Sequence, residues 1–215
     1  GSKSLPRKNV RARGGHPGIA YSIAAAREAE RVGRGMVTTD DPEIAAIARE
    51  YGAEVPYLRP AELAADDTPD LPVFAHLLDW LDAEEGARPE ALVHLRPTSP
   101  VRPPGLVDHA VELLRSDPAA DAVRSVCVPD QNPYKMWRLQ GDRLVPLLAS
   151  EFDEPYDRPR QSLPETLWQT GTVDVVRRAT IQRHRSMSGR RVLPLRVGPE
   201  YAVDIDSPEE WTYAE

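Results

Sequence analysis

Three observations predict an α/β protein built as a three-layer, mostly parallel sheet with helices on both faces. Short apolar, β-branched runs alternate with amphipathic stretches of helical period along most of the 215 residues. Capping and turn residues stand where one period gives way to the other. One proline-rich stretch, residues 129–172, breaks the rhythm and reads as an arm inserted into a single 1–215 domain.

The elements follow in order. Residues 18–31 read as a helix, 35–39 as a short buried strand and 42–50 as a helix, with Asp41 as its N-cap and Pro42 at its first position. Helix 71–84 comes next, then strand 91–95 running into the loop 96–102. Helix 105–115 and strand 122–128 complete this half. Beyond the arm, with its Pro129, Pro133, Pro146, Pro155, Pro159 and Pro164, come strand 172–176, a helix near 177–184, strand 192–195, a strand at 204–206 and a short helix from Pro208.

Composition narrows the function. A chain of this length buries one core, and 40% hydrophobic with 28% charged residues is ordinary for a globular domain. A net charge of −7 argues against a general nucleic-acid binder, which needs a broad basic surface to displace counterions. A lone cysteine, Cys127, excludes an internal disulfide and a thiolate metal cage. No stretch reaches the roughly 20 apolar residues of a membrane span and no signal peptide is visible, so the expectation is a cytoplasmic enzyme without a membrane partner. The five histidines have no metal-ligand spacing, and His76, on the apolar face of helix 71–84, reads as a structural residue.

Two motifs at opposite ends of the chain carry the chemistry. Gly1-Ser2-Lys3-Ser4-Leu5-Pro6-Arg7-Lys8-Asn9 is a glycine-led basic loop of the kind that cradles a triphosphate, with backbone N–H groups and the Lys3 and Lys8 ammonium groups meeting phosphate oxygens. The plainer alternative is a disordered basic start or a cloning remnant. Asp204-Ile205-Asp206 spaces two carboxylates so that an extended backbone turns both to one side, where a cation fits between them and a triphosphate. Asp40 and Asp41 follow a strand and serve either as helix caps or as ligand-facing groups. Arg59 either faces a ligand or pairs with Glu62. On the arm, Lys135 and Arg160 suit a substrate carboxylate, whereas Met136 and Trp137 suit a subunit interface.

The opening loop, Ile19-Ala20-Tyr21-Ser22-Ile23, Thr38-Thr39-Asp40-Asp41-Pro42-Glu43-Ile44, Tyr51-Gly52-Ala53-Glu54-Val55-Pro56, Leu58-Arg59-Pro60-Ala61-Glu62-Leu63, Arg96-Pro97-Thr98-Ser99-Pro100-Val101-Arg102, Arg160-Gln161-x-Leu163-Pro164 and Asp204-Ile205-Asp206 stand in the order found in the acylneuraminate cytidylyltransferases, which this chain resembles over most of its length. In that family a hydrophobic first strand and an Ala-Arg pair precede the Gly-Ser-Lys. Here the sequence starts at Gly1, so a sheet lacking a central strand is expected.

The resemblance implies a Rossmann-like nucleotide-diphospho-sugar transferase fold and a nucleotidyl transfer. The hydroxyl of a sialic-acid-like nonulosonic acid attacks the α-phosphate of CTP, and pyrophosphate leaves. It further implies Lys3 and Lys8 as catalytic cations, a nucleotide site of Gly1, Ser2, Lys3, Lys8, Asn9 and Arg59, with Arg59 reading the cytosine, and Mg²⁺ on Asp204 and Asp206. Arg96, Lys135, Arg160 and Thr170 would face the sugar, with the arm reaching a neighbouring subunit of a homodimer. Thr170 in place of an amide, Asp174 nearby and Arg96 in place of a glutamine point to a nonulosonic acid other than N-acetylneuraminate. The alternatives are a nucleotidyltransferase for another 2-keto sugar acid, or a nucleotide-binding homologue without turnover.

Overall fold

The structure is a computed structural model that describes residues 7–148, 152–205 and 210. A minimal hairpin, β1 (Ala12–Arg13) and β2 (His16–Pro17), leads into α1 (Gly18–Glu28), which is followed by α2 (Pro42–Glu50) and α3 (Asp70–Glu85). Then come β3 (Ala91–His94), α4 (Leu106–Ser116), β4 (Ala122–Cys127), a hairpin of β5 (Trp137–Gln140) and β6 (Arg143–Pro146), β7 (Trp168–Arg177), α5 (Arg178–Gln182) and β8 (Val192–Arg196).

The central sheet has the order β3-β7-β4-β8. The period of two in its strands sorts side chains to opposite faces. Val123, Val173 and Val175 meet Ala110 and Leu114 of α4, while the neighbouring Ala122 and Val176 meet Ala75 and Leu78 of α3 and Ile181 of α5. A sheet covered on both faces gives the three layers. A satellite cluster of Ile19, Ile23, Ala45, Ala48, Ala53 and Val55 packs α1 on α2.

The described sheet is mixed yet mostly parallel in sense, since β3, β4 and β8 run one way and β7 alone runs against them. β4 and β8 are parallel, but β7 runs antiparallel to both β3 and β4. β7 also starts at Trp168, so it takes in the last residues assigned to the arm. Period alone hid this start because Gly171 takes a positive φ of 72° and the β4–β7 register shifts between Arg124 and Val126. Segment 35–39 forms only two isolated parallel bridges, Met36 to Glu54 and Thr39 to Leu58.

The strand expected at 204–206 is likewise corrected over its described part, since residues 202–205 are irregular. Val203 and Ile205 are buried against Val101, and the Ile205 N–H donates to the Thr98 carbonyl at 2.9 Å. These contacts hold the segment against a loop instead of a ladder. The helix expected from Pro208 lies outside the described residues, apart from Glu210.

Candidate active site

The loops at the carboxyl end of β3 and of segment 35–39 gather with the opening basic loop, as expected for an open α/β sheet. The turn 7–11 is closed by Val10 and Arg11 N–H bonds to the Arg7 carbonyl, and it leans on the start of α1, where Ile19 N–H donates to the Asn9 carbonyl at 2.8 Å. Gly18 makes that approach feasible. A Cβ there would stand 3.0 Å from the Lys8 carbonyl oxygen. From this turn Lys8 Nζ reaches the Ile205 carbonyl at 3.3 Å, a contact between residues 197 positions apart. The Thr98 carbonyl holds the same Ile205 from the other side. The basic loop, the loop after β3 and the acidic segment carrying Asp204 therefore meet at one place.

Beneath them lies an internal frame. Arg102 donates from Nε to the Thr172 carbonyl at 2.7 Å, from Nη2 to the Arg96 carbonyl at 2.8 Å and from Nη1 to Ser22 Oγ at 3.2 Å. It thus ties α1, the loop after β3 and β7 together. Burial pushes its pKa down to about 10, and it remains the cation among neutral acceptors. Its only signal in the sequence was its place in the 96–102 loop.

Arg59 lines the same cleft as Asn9, Thr39 and Asp40. Its backbone N–H is fixed to the Thr39 carbonyl at 2.8 Å, its Nη1 donates weakly to the Leu63 carbonyl at 3.4 Å, and its buried Nε has no acceptor. The pairing with Glu62 does not form. Asp41 caps α2, accepting from Glu43 and Ile44 N–H groups at 2.8 and 3.3 Å. Asp40 stays exposed at the cleft. His76 binds Tyr57 Oη at 3.1 Å and is structural in place.

Three sugar-side expectations are corrected. Thr170 is 2% exposed, and its hydroxyl is engaged with Ser125 and Thr172 at 3.0 and 2.9 Å inside the sheet. Asp174 is fully buried, its Oδ2 accepting from Arg96 at 2.7 Å, Arg124 at 2.8 Å and Gln169 at 3.1 Å. Arg96 is occupied by Asp174 and by Asp70 at 3.0 Å. Asp174, Arg96 and Arg124 form a core ion network and Thr170 belongs to a hydroxyl chain inside the sheet, so the case that Thr170, Asp174 and Arg96 made about the sugar's identity lapses. Lys135 Nζ bonds the Tyr156 carbonyl at 2.9 Å and Arg160 Nη2 the Pro129 carbonyl at 2.6 Å, so both are engaged within the arm. Gly1, Ser2, Lys3 and Asp206 lie outside the described residues. Among those described, no group of three or more His, Cys, Asp or Glu forms a metal cluster, and no helix is long and apolar enough to cross a membrane.

A mixed three-layer α/β sheet whose basic opening loop meets an acidic segment beyond the carboxyl ends of its strands defines a nucleotidyltransferase-type fold and site. The chain belongs to the cytidylyltransferase family, whose pattern matches residues 1–130. It is 31% identical over 220 residues to a CMP-N,N'-diacetyllegionaminic acid synthase of Legionella pneumophila, covering all of this chain and 90% of that protein. It is 29% identical to an N-acylneuraminate cytidylyltransferase of Escherichia coli, of which it spans about half, 49%. Among solved structures, a CMP:2-keto-3-deoxy-manno-octonic acid synthetase complexed with CTP superposes with a TM-score of 0.68 at 18% identity, covering all of this chain and 92% of that one, which shows the fold. The protein is accordingly a CTP-dependent cytidylyltransferase.

Proposed function

We propose that the enzyme transfers CMP from CTP to the anomeric hydroxyl of a nonulosonic acid of the sialic or legionaminic type and releases pyrophosphate. The observation that carries this reading is the Lys8–Ile205 contact, which joins a phosphate-binding type of loop to an acidic segment from the far end of the chain. Relatives named for the activation of diacetyllegionaminic acid and N-acylneuraminate support the substrate class. In this reaction the protein mainly positions its reactants and neutralises charge. Lys8 and Lys3 bind the triphosphate, Arg59 offers its free N–H to the base, and the Arg102 frame holds the loops that carry them.

Asp204, next to the Ile205 that Lys8 contacts, offers a hard oxygen donor, and with the carboxylate of Asp206 two positions on in sequence it would make a set that suits Mg²⁺. When bound, Mg²⁺ neutralises charge on the phosphates and the departing pyrophosphate. The proposal includes a cytoplasmic homodimer in which the arm, with Lys135 and Arg160, reaches the sugar site of the partner subunit.

The test is pyrophosphate release from CTP and Mg²⁺ with diacetyllegionaminate, N-acetylneuraminate and 3-deoxy-manno-octulosonate in parallel, together with CTP binding by calorimetry. Turnover is expected with a nine-carbon acid, and Asp204→Ala should reduce it on the order of 10²-fold or more with an unchanged circular dichroism spectrum. Failure to bind CTP together with failure to turn over any of the acids would overturn the reading. A wild-type rate in Asp204→Ala would remove the carboxylate role.

A further inference from the structure

A bulge in β7 lies between the core ion network and the acidic segment. Arg124 of β4 pairs with Asp174 and Val126 with Gln169, so the four residues from Thr170 to Val173 stand opposite Ser125 alone. β3 leaves them unpaired as well, since its ladder ends with His94 opposite Asp174. Gly171 turns the chain there at a φ of 72°, a conformation that residues with a side chain rarely adopt. Bulges of this kind re-aim side chains and are frequent next to active sites.

Buried backbone groups deprived of a ladder need other partners, and this bulge finds them in two directions. Toward the interior, the Val173 N–H donates to Ser125 Oγ at 3.0 Å, and the Ser99 hydroxyl donates to the Thr170 carbonyl at 3.4 Å. Toward the acidic segment, Thr172 is a junction. Its carbonyl accepts from Arg102 Nε at 2.7 Å, and its hydroxyl donates to the Tyr201 carbonyl at 3.1 Å. Tyr201 ends the single turn Pro199–Tyr201, three residues ahead of Asp204. One residue beyond Asp204, Ile205 is held by the Thr98 carbonyl and by Lys8. Asp204 is thereby bracketed, by a tie at 201 and a pair of ties at 205, with Val203 and Ile205 buried on either side of it.

We propose that Thr172 is a positioning residue for the Asp204 carboxylate: by fixing the Tyr201 carbonyl, its hydroxyl sets the path of residues 202–204 beside the basic loop, given the proposed role of Asp204 as a Mg²⁺ ligand. Threonine suits the task because its branched Cβ is stiff, so the methyl packs inside the sheet while the hydroxyl keeps one direction. The residue is fully buried, and no water is at hand to replace a lost donor. A valine fills the same volume but leaves the Tyr201 carbonyl without its partner. A serine keeps the hydroxyl and gives up the methyl. If Thr172 only packed the sheet, serine would be the more harmful change, because it opens a cavity. If it positions Asp204, valine is.

Metal binding and amide exchange test this apart from turnover. With Mn²⁺ titrated into the CTP-loaded protein and followed by electron paramagnetic resonance, Thr172→Val should weaken metal binding by roughly 10-fold, the scale of one buried hydrogen bond, while CTP affinity without metal stays within about 2-fold. The Mg²⁺ concentration for half-maximal pyrophosphate release should rise to the same degree. Thr172→Ser should restore metal affinity despite its lost methyl. Exchange of the Ile205 amide should quicken in the valine variant and not in the serine variant, with β4 amides slow in both. Should Thr172→Val not fold, Thr172→Cys, whose thiol is a weak donor, should move metal affinity and Ile205 exchange in the same direction by less. The positioning role is overturned if the valine and serine variants weaken metal binding alike, or if serine is the worse of the two. It is equally overturned if Asp204→Ala loses the metal while Thr172→Val, or the cysteine variant in its place, binds it as the wild type does. Metal binding untouched in Asp204→Ala would instead overturn the Mg²⁺ role of Asp204, and the positioning role would fall with it.

Discussion

A buried N–H without an acceptor costs on the order of 1–3 kcal/mol, and Arg59 Nε is such a group in the wall of the cleft. Its other bond, to the Leu63 carbonyl at 3.4 Å, is long. The backbone tie to Thr39 holds the residue in place while leaving most of its guanidinium fork available, an arrangement suited to a planar partner with adjacent acceptors, such as cytosine. Arg59→Ala is therefore expected to weaken CTP binding by roughly 10- to 100-fold and to narrow the preference over UTP, as titration calorimetry would show. Arg59→Lys should recover little, because a point charge cannot reproduce the fork. Unchanged CTP affinity in the alanine variant would reduce Arg59 to a tether for residues 59–63.

At the scale of elements, the register places Asp174 of β7 opposite His94 of β3 and Arg124 of β4, so one ion network crosses three strands. His94 packs edge-on against Phe74 at 4.7 Å, with Asp70 at 3.7 Å and Arg96, Arg124 and Asp174 as its other charged neighbours. Burial, helped by Arg96, pushes its pKa down to about 4. The folded protein thus binds fewer protons here than the unfolded chain between about pH 6.5 and 4. Stability is full above that window and declines as pH falls through it, by roughly 3 kcal/mol from this group. Urea unfolding at pH 7 and pH 4.5 should show the loss, and His94→Leu should flatten the slope. An equal slope in the variant would assign the loss to other groups.

The helices were legible because their signals are local. Asp41-Pro42 marks the start of α2, and Gly86, in the left-handed region at φ 63°, closes α3. The orientation of β7 was not legible, since a run of valines reads the same in either direction and its partners come from distant sequence. For the same reason Asp174 and Thr170 looked available to a ligand. Only pairing with β3 and β4 brings Arg96, Arg124 and Ser125 onto them. Lys8, Arg59 and Asp204 are singled out by motif as candidates, and what the sequence withheld was that Lys8 touches the backbone beside Asp204.

For the whole molecule, the arm poses a problem of exposed surface. The β5–β6 register sets Leu139 opposite Leu144 and Trp137 opposite Pro146, which share one face of the hairpin, while Arg138 and Val145 turn to the other. Leu139 is 73% and Leu144 63% exposed, although Trp137 is partly covered by Tyr156 at 4.3 Å. A two-stranded hairpin is marginal by itself, and an apolar face of this kind is a recurrent mark of a contact surface. A two-fold contact covers such a face with its own copy in the fewest steps. The proposed homodimer therefore predicts light scattering at twice the 23.9 kDa chain mass at micromolar concentration. The double variant Leu139→Glu, Leu144→Lys should weaken association by roughly 100-fold, because two leucines lose their burial and charges take their place. If the arm also completes the partner's sugar site, turnover by that variant should fall with dilution as dimers separate, while CTP affinity holds. A wild-type chain that scatters as a monomer and turns over fully would refute the dimer and leave the hairpin to act on its own subunit.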